Sequence, residues 1–579
     1  MSLLLLLGVM TPAQTADRPA GFLAEGTPFA TPYYIRDSGV PGPTVLITGG
    51  IHGNEPSGAR AADQIRHWPI TRGKLIVVPR VNVLASDANQ RNTPGEPESL
   101  ANLNRNFPRA ASNEPPRCIL ATAVWNFACQ QKPNWVIDLH EGYDFSVTNK
   151  NSVGSSLLVF PTTEGQSVST AMQAAVNATI TNQNNRFQLR GPPVDSSFAR
   201  AAGAHLGAHA MILETTTKSQ PLPVRVRQHR IMVHTLLREL QMIPDTANVD
   251  WITDQSPAGR ATLRIALYDA AGTGGTGPQK IRQFMSRKPA TVVVELGPEE
   301  IRNGALSQFH VLICPGGSGL GQANAIGKDG RERIKQFVEN GGGYVGICAG
   351  AYLATSGFTW GLKILNAKTV SPKWRRGTGI VKIELTDKGR QLLGNHPGLL
   401  DCKYANGPIL GPAEEPSLPD YDVLAVFRSE IAEHDSPKGI MVNSPAIVAA
   451  ACGKGRVIAI SPHPEQMEPL QELVARAIFW AAGRDDYETP EGKKILADCS
   501  MLRQITKDDP PIIMTCNLPD TEPENRGHLV HHPRHAKVIK QRCDEVGVKC
   551  EIHLNAPGDV IGFLLQHLGV QSTPAKPAT

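Results

Sequence analysis

The chain contains no run of about 18 uninterrupted apolar residues, so no segment reads as a membrane-spanning helix. It has no dense cluster of Lys or Arg either. A formal net charge of +5 over 579 residues is too small to track a phosphate backbone, which excludes nucleic acid as the expected partner. Cysteine is sparse. The ten Cys include no C-x-x-C pair, which argues against a structural zinc knuckle and against a disulfide framework. Cys543 and Cys550 are near enough in sequence to pair in an oxidising compartment. A G-x-S-x-G nucleophile elbow is also missing.

What is present is ordinary globular composition. Hydrophobic residues make up 41% and charged residues 19%, so the chain is apolar enough to fold. Its length exceeds what one hydrophobic core supports, and a multidomain α/β protein is expected. Residues 1–16, with Leu3 to Leu7 followed by small residues around Ala13 and Ala16, resemble a secretory signal peptide without a basic n-region. Export to the periplasm or the exterior is therefore expected.

Between residues 25 and 245, apolar strands alternate with amphipathic helices. The pattern predicts strands at Thr44 to Thr48, Lys74 to Val78, Trp135 to Leu139, Leu157 to Phe160 and Ala210 to Leu213. It predicts helices at Ser57 to Trp68, Val168 to Asn182 and Val224 to Leu240. Residues 246–263 are polar, with Pro and Gly, and read as a linker. A second α/β run covers residues 264–484, with Gly-rich turns at Pro315 to Gly321 and Gly341 to Gly346. A third piece, residues 490–571, is short. It offers strands at Pro511 to Thr515 and Lys549 to Leu554, and a helix at His535 to Val546.

Gly49-Gly50-Ile51-His52-Gly53-Asn54-Glu55 follows a predicted strand, placing His52 and Glu55 on the turn where open α/β sheets build their sites. A His and a carboxylate three residues apart can share one cation. Catalytic zinc needs a third protein ligand and an open position, and His140, in Asp138-Leu139-His140-Glu141-Gly142, supplies that ligand. Glu141 beside it reads as a supporting or solvated carboxylate.

These residues resemble the zinc carboxypeptidase superfamily, and more closely its aspartoacylase and succinylglutamate desuccinylase branch, over about residues 40–240. The resemblance rests on His52 and Glu55, Asn104-Arg105, His140, and Glu214 in Ile212-Leu213-Glu214-Thr215, in that order. It implies a mixed sheet with helices on both faces and a Zn2+ ion on His52, Glu55 and His140. Glu214 would be the catalytic base, Arg91 would stabilise the oxyanion, and Asn104 with Arg105 would bind a substrate carboxylate. The expected substrate is a small molecule or peptide with a free carboxylate, cleaved at an amide bond. Asn92 to Glu96, N-T-P-G-E, leans towards the deacylase-like branch.

A second nucleophile is expected in Gly346-Ile347-Cys348-Ala349-Gly350, which reads as strand, sharp turn and helix. Ser461-Pro462-His463-Pro464-Glu465 supplies a base and an orienting carboxylate. These motifs resemble class I glutamine amidotransferase-like domains, with a flavodoxin-like sheet and Cys348, His463 and Glu465 as the implied triad. Cys314-Pro315-Gly316-Gly317 brings the resemblance closer to the N-terminal domain of biotin protein ligases. No Gly-Arg-Gly adenylate loop follows, so biotin ligation is not implied.

The last piece partly resembles the final strands of an α/β-hydrolase, but Ala556-Pro557-Gly558-Asp559 stands where such enzymes keep a His. His531, His532 and His535 read as a solvated cluster. Two readings compete with a zinc amidohydrolase: a non-enzymatic peptide- or glycan-binding protein, and an enzyme whose main activity belongs to Cys348.

Overall fold

Burial along the strand β3 (Thr44–Gly49) alternates between two cores, as a sheet covered on both faces requires. Val45 and Ile47 pack with Ala61, Ala62 and Ile65, whereas Leu46 packs with Leu120, Val124 and Phe198 on the other side. The computed structural model describes residues 19–244, 246–253, 262–288, 290–484, 511–516, 533–554 and 563. The segment expected to direct export lies outside them, as do residues 254–261 of the expected linker.

Around β3 the chain builds an eight-stranded mixed sheet. Its other strands are β1 (Gly21–Leu23), β2 (Thr31–Asp37), β4 (Lys74–Val78), β5 (Trp135–Gly142), β6 (Ser156–Val159), β7 (Gln188–Arg190) and β8 (His209–Thr216). The order is β1-β2-β4-β3-β5-β8-β6-β7. β4, β3, β5 and β8 run parallel, and β6 is antiparallel to β8. β5 is longer than its apolar run suggests, because it pairs with β8 from Trp135↔His209 through Gly142↔Thr216. His140 is therefore inside the strand rather than on the turn after it.

The expected helix Val168 to Asn182 instead spans Thr163–Asn177. The Thr162 hydroxyl caps its start, accepting from Gly165 N. Its end is fixed by Asn177, whose side chain exchanges two hydrogen bonds with the Phe187 backbone at 2.7 and 3.0 Å. The β-branched Thr179, Ile180 and Thr181 then leave the helix.

The second sheet has nine strands. They are β9 (Leu263–Tyr268), β10 (Thr291–Leu296), β11 (Val311–Cys314), β12 (Gly343–Ile347), β14 (Thr378–Leu385), β15 (Leu399–Ala405), β17 (Asp422–Phe427), β18 (Pro445–Cys452) and β19 (Gly455–Ile460). β13 (Ala367–Thr369) and β16 (Leu410–Pro412) form a separate pair. The parallel strands lie in the order β10-β9-β11-β12-β19, the 2-1-3-4-5 order of flavodoxin-like sheets. An antiparallel wing, β18-β17-β14-β15, extends the edge beyond β19.

Both sheets belong to one compact unit, Met1–Gly483. A buried ionic network lies between them. Arg230, on the helix Leu222–Glu239, donates to Asp250 Oδ1 at 3.0 Å, Glu300 Oε1 at 2.8 Å and Gln64 Oε1 at 2.6 Å. Arg227 and Asn303 complete the shell of Asp250. Residues 246–253 are thus packed chain rather than loose linker, with Asp250, Ile252 and Thr253 buried.

In the second unit, Arg484–Thr579, β20 (Ile512–Cys516) pairs in parallel with β21 (Cys550–Leu554), and the helix Pro533–Val546 packs on them. Cys543 and Cys550 sit together in its small core as free thiols. His531, His532 and Ala556 to Asp559 lie outside the described residues, as does the side chain of His535.

Replacing Arg230 with Ala leaves two buried carboxylates without their shared cation. Arg230→Ala is expected to lower unfolding stability by about 3–5 kcal/mol in chemical denaturation. A loss below about 1 kcal/mol would show that the network contributes little.

Candidate functional site

Strand alternation and register place the first site. Asp138 and His140 are two apart on β5 and share a face, Thr48 stands opposite Asp138, and Glu214 on β8 stands opposite His140. The turn after β3 brings in His52, and Glu55 is the N-cap residue of the helix Pro56–Ile65. His52, Glu55 and His140 converge, with one ligand atom of each lying within 4.8 Å of the others. All three are buried.

The orientation of the rings matters as much as their proximity. Both Nδ1 atoms face Glu55, His52 to Oε1 and His140 to Oε2, each at 2.8 Å. The far side of each ring is held elsewhere. His140 Nε2 lies 2.8 Å from Asp138 Oδ2, and His52 Nε2 lies 3.1 Å from Asn102 Oδ1. Asp138 is fixed in turn by the Thr48 hydroxyl, which donates to Oδ1 at 2.7 Å. A carboxylate that accepts the Nε2–H hydrogen bond leaves the Nδ1 lone pair directed into the cluster, the arrangement of metal-binding imidazoles. The residues therefore fit a divalent cation by donor type and by ring orientation.

Charge follows this geometry. Burial would raise Glu55, but His52 and His140 hold it well below the usual carboxylate range. Burial would lower His140, but Asp138 and Glu55 outweigh it and hold it well above the usual imidazole range. Burial lowers His52. Glu214 is pushed up to about 8 by burial; His140 and Arg91 oppose the rise, while Glu55 and Asp138 add to it. Its Oε2 has no hydrogen-bond partner among the described residues. A buried carboxylate oxygen without a donor is poised for a proton or a bound molecule.

The other expected residues lie around this centre. Arg91 Nη1 donates to Glu55 Oε1 at 2.5 Å from a half-exposed position. Arg105 is held by its bond to Asn104 O at 2.7 Å and lies within electrostatic reach of Arg91 and Glu214. Asn104 has a second placement that sequence reasoning did not anticipate. Its amide is used inside the protein, with Nδ2 3.3 Å from His140 Nε2 and Oδ1 accepting from Phe198 N.

Sequence reasoning also assigned no role to Asp138, Asn102 or Arg225. The D-x-H spacing on a strand was a readable signal for Asp138; Asn102 and Arg225 carry none. Glu141 proves to be buried support, accepting from Ser57 N at 2.7 Å and paired with Arg225.

The second site lies at the end of β12. Cys348 holds φ +50° and ψ −97°, a conformation that non-Gly residues rarely adopt, on the turn into the helix Ala349–Ala354. The flanking glycines make this elbow possible. A Cβ at Gly346 would lie 2.3 Å from Gly350 O, and one at Gly350 would lie 1.9 Å from Cys314 O. Cys348 Sγ donates to Ala405 O at 3.3 Å. His463, which follows β19, lies within electrostatic reach of Cys348 and 2.8 Å through Nδ1 from Glu465 Oε1. Burial pulls His463 down, but Cys348 and Glu465 prevail and push it up to about 10. The structure thus brings Cys348, His463 and Glu465 together.

Fold and site define a mixed-sheet α/β domain with a buried His-Glu-His cluster, joined to a flavodoxin-ordered domain with a Cys-His-Glu constellation. Residues 41–243 match the family model of the succinylglutamate desuccinylase/aspartoacylase catalytic domain, and residues 279–373 match that of the biotin-protein ligase N-terminal region. The second match includes Cys348 but ends before His463.

Among curated proteins, the chain is 33% identical over 106 residues to an N-alpha-acetyl-L-2,4-diaminobutyric acid deacetylase of Halomonas elongata, covering 17% of this chain and 29% of that protein. It thus spans under a third of that relative's length. Among solved structures, an aspartoacylase family protein of Mesorhizobium loti is 23% identical at a TM-score of 0.29, covering 40% of this chain and 70% of that one. Helicobacter pylori Csd4, a D,L-carboxypeptidase, is 22% identical at a TM-score of 0.30, covering 35% and 52%.

Asp138→Asn removes the carboxylate that orients His140. By analogy with other residues that support metal ligands, it is expected to weaken cation binding by about 10- to 100-fold in a competition titration with a chromogenic chelator. Unchanged affinity would mean that Asp138 does not set the ring.

Proposed function

We propose that the first domain is a zinc-dependent amidohydrolase acting on N-acyl compounds that bear a free carboxylate. The observation that carries this reading is the convergence of both Nδ1 atoms on Glu55 while Asp138 and Asn102 hold the opposite ring nitrogens. The family match over residues 41–243 supports amide hydrolysis, and the Halomonas relative, by its name, removes acetyl from an amino acid.

His52, Glu55 and His140 would hold the zinc, which when bound supplies Lewis-acid polarisation of the scissile carbonyl and of a water, and draws the Glu214 pKa down. Glu214 takes the water proton and delivers it to the leaving nitrogen. Arg91, half-exposed beside Glu55, faces the growing oxyanion charge. Arg105, anchored through Asn104 O, offers its guanidinium fork to the substrate carboxylate. Asn104 Oδ1 accepts from Phe198 N, which fixes the segment that carries Arg105.

Purified full chain is expected to contain about one zinc per molecule and to deacylate N-acetyl amino acids in a chelator-sensitive manner. Absence of both zinc and chelator-sensitive amidase activity sinks the reading. Glu214→Gln is expected to lower kcat by about 10²- to 10⁴-fold while zinc content is retained. Asp138 and Glu55 hold His140 well above the usual imidazole range in the metal-free cluster, so zinc competes with a proton there. Zinc affinity is therefore expected to rise with pH through the neutral range, and a flat profile would contradict the ligand set.

The Cys348, His463 and Glu465 contacts favour a second reading, in which that triad supplies an activity of its own. Such activity survives chelators and is lost in Cys348→Ala; activity with the opposite pattern belongs to the zinc centre.

A further inference from the structure

A cavity of about 550 Å³ opens at the junction of the two sheet domains, and no residue of the His-Glu-His cluster or of the Cys348 constellation lines it. Its walls come from residues 179–185, which follow the helix Thr163–Asn177, from Gln220 and the first turns of the helix Leu222–Glu239, and from residues 297–303 of the second domain. The volume falls in the range of roughly 300–1,000 Å³ found for small-molecule sites, which concentrate at domain junctions. The walls are fixed. Arg227 and Asn303 both bond Asp250 and Glu300 accepts from Arg230, so the lining includes part of the ionic network between the sheets.

The charged groups of this lining are already balanced within the protein. Arg227 grips Asp250 through Nε at 3.0 Å and Nη2 at 3.2 Å, Glu300 Oε1 lies 2.8 Å from Arg230 Nη2, and Glu299 pairs with Arg302. An ionic ligand would find no uncompensated counter-charge here. What remains is neutral, and it both donates and accepts. The Asn185 amide and the Thr181 hydroxyl make no side-chain hydrogen bond among the described residues. Asn182 accepts from Asn184 N through Oδ1 at 3.0 Å, which leaves its Nδ2 as a donor. Gln228 Nε2 donates to Gln220 Oε1 at 2.8 Å, whereas the buried Gln228 Oε1 has no partner among the described residues.

Beside these polar groups the lining is apolar. Ile180 and Ile231 are half-buried, and Val224 is an exposed large hydrophobic side chain. A ligand suited to such a lining carries no net charge, offers hydroxyls that donate and accept from one atom, and has C–H faces to lay on the aliphatic side chains. A sugar ring meets all three conditions. We propose that this cavity is a binding site for a neutral saccharide, separate from both clusters of reactive side chains.

The test titrates the full chain with cellobiose, lactose and N,N′-diacetylchitobiose, read by saturation-transfer difference NMR. The first two present hydroxyls alone, and the third adds acetamide groups, so together they sample the donors and acceptors of the lining. At least one is expected to bind with a Kd of about 1 mM or tighter. N-acetylglutamate, an anion of the class proposed for the Glu55 centre, is expected not to displace it.

Two substitutions locate the sugar. Val224→Trp puts a large side chain into the space on the apolar side and is expected to weaken binding by about tenfold or more. Asn185→Ala removes an amide for which the fold has no side-chain partner, and is expected to weaken binding by about three- to tenfold, the loss of one hydrogen bond. Its melting temperature should match that of the parent, because Asn185 stands half-buried on a short surface turn.

Absence of saturation transfer to all three disaccharides overturns the proposal. Displacement by N-acetylglutamate overturns it as well, since the sugar would then occupy the Glu55 centre. Binding that is unchanged in both variants places the sugar elsewhere and has the same consequence, whereas weakened binding in either folded variant supports the site. Should Val224→Trp fail to fold, Asn185→Ala decides the matter alone.

Discussion

The Glu55 carboxylate organises the first domain's site. It stands 2.8 Å from the Nδ1 atoms of two histidines that are far apart in sequence, and it accepts from Arg91 as well. With Asp138, its charge holds His140 well above the usual imidazole range, and it adds to the burial that pushes Glu214 up to about 8. Acid and base at this centre are therefore separated by environment rather than by residue type, since two glutamates a short way apart sit on opposite sides of neutrality.

Four of the site's groups stand on regular backbone, whereas His52 stands on the turn after β3. His140 and Glu214 are registered partners on adjacent parallel strands, and Asp138 is on the same face two residues earlier. Glu55 begins a helix whose Ala61, Ala62 and Ile65 are locked into the core beneath the sheet. Placing these groups on strands and a helix start limits the spread of ligand distances that loops alone would allow. The same logic governs Cys348, which is held at a strained φ by close backbone approach at its two flanking glycines.

Buried charge is balanced differently at two places in this chain. Between the two sheets, Arg230 is met by Asp250 and Glu300, so the cation is balanced within the protein and fastens the layers together. Near Cys348, Arg376 is equally buried but has no carboxylate closer than 3.8 Å among the described residues.

Much of the first site was legible in the sequence. The H-x-x-E turn after an apolar strand, the later His140 and the Glu214 near the domain's end are residue types that zinc chemistry needs, and strand periodicity places them at the C-terminal ends of predicted strands. Cys348 between glycines and His463 two residues before Glu465 were readable in the same way. The helix following β6 was misplaced by several residues because its boundaries depend on Thr162 capping and on the Asn177 bonds to Phe187. The sequence alone determined the alternation of strands and helices, and with it the two sheets and the ends at which reactive side chains stand, because periodicity and turn residues are local. Only tertiary structure decided which ring nitrogen faces the cluster, that Asp138 and Asn102 hold the opposite ones, and that Arg376 is buried without a close counter-ion. Those outcomes depend on distances between residues remote in the chain, which no local pattern encodes.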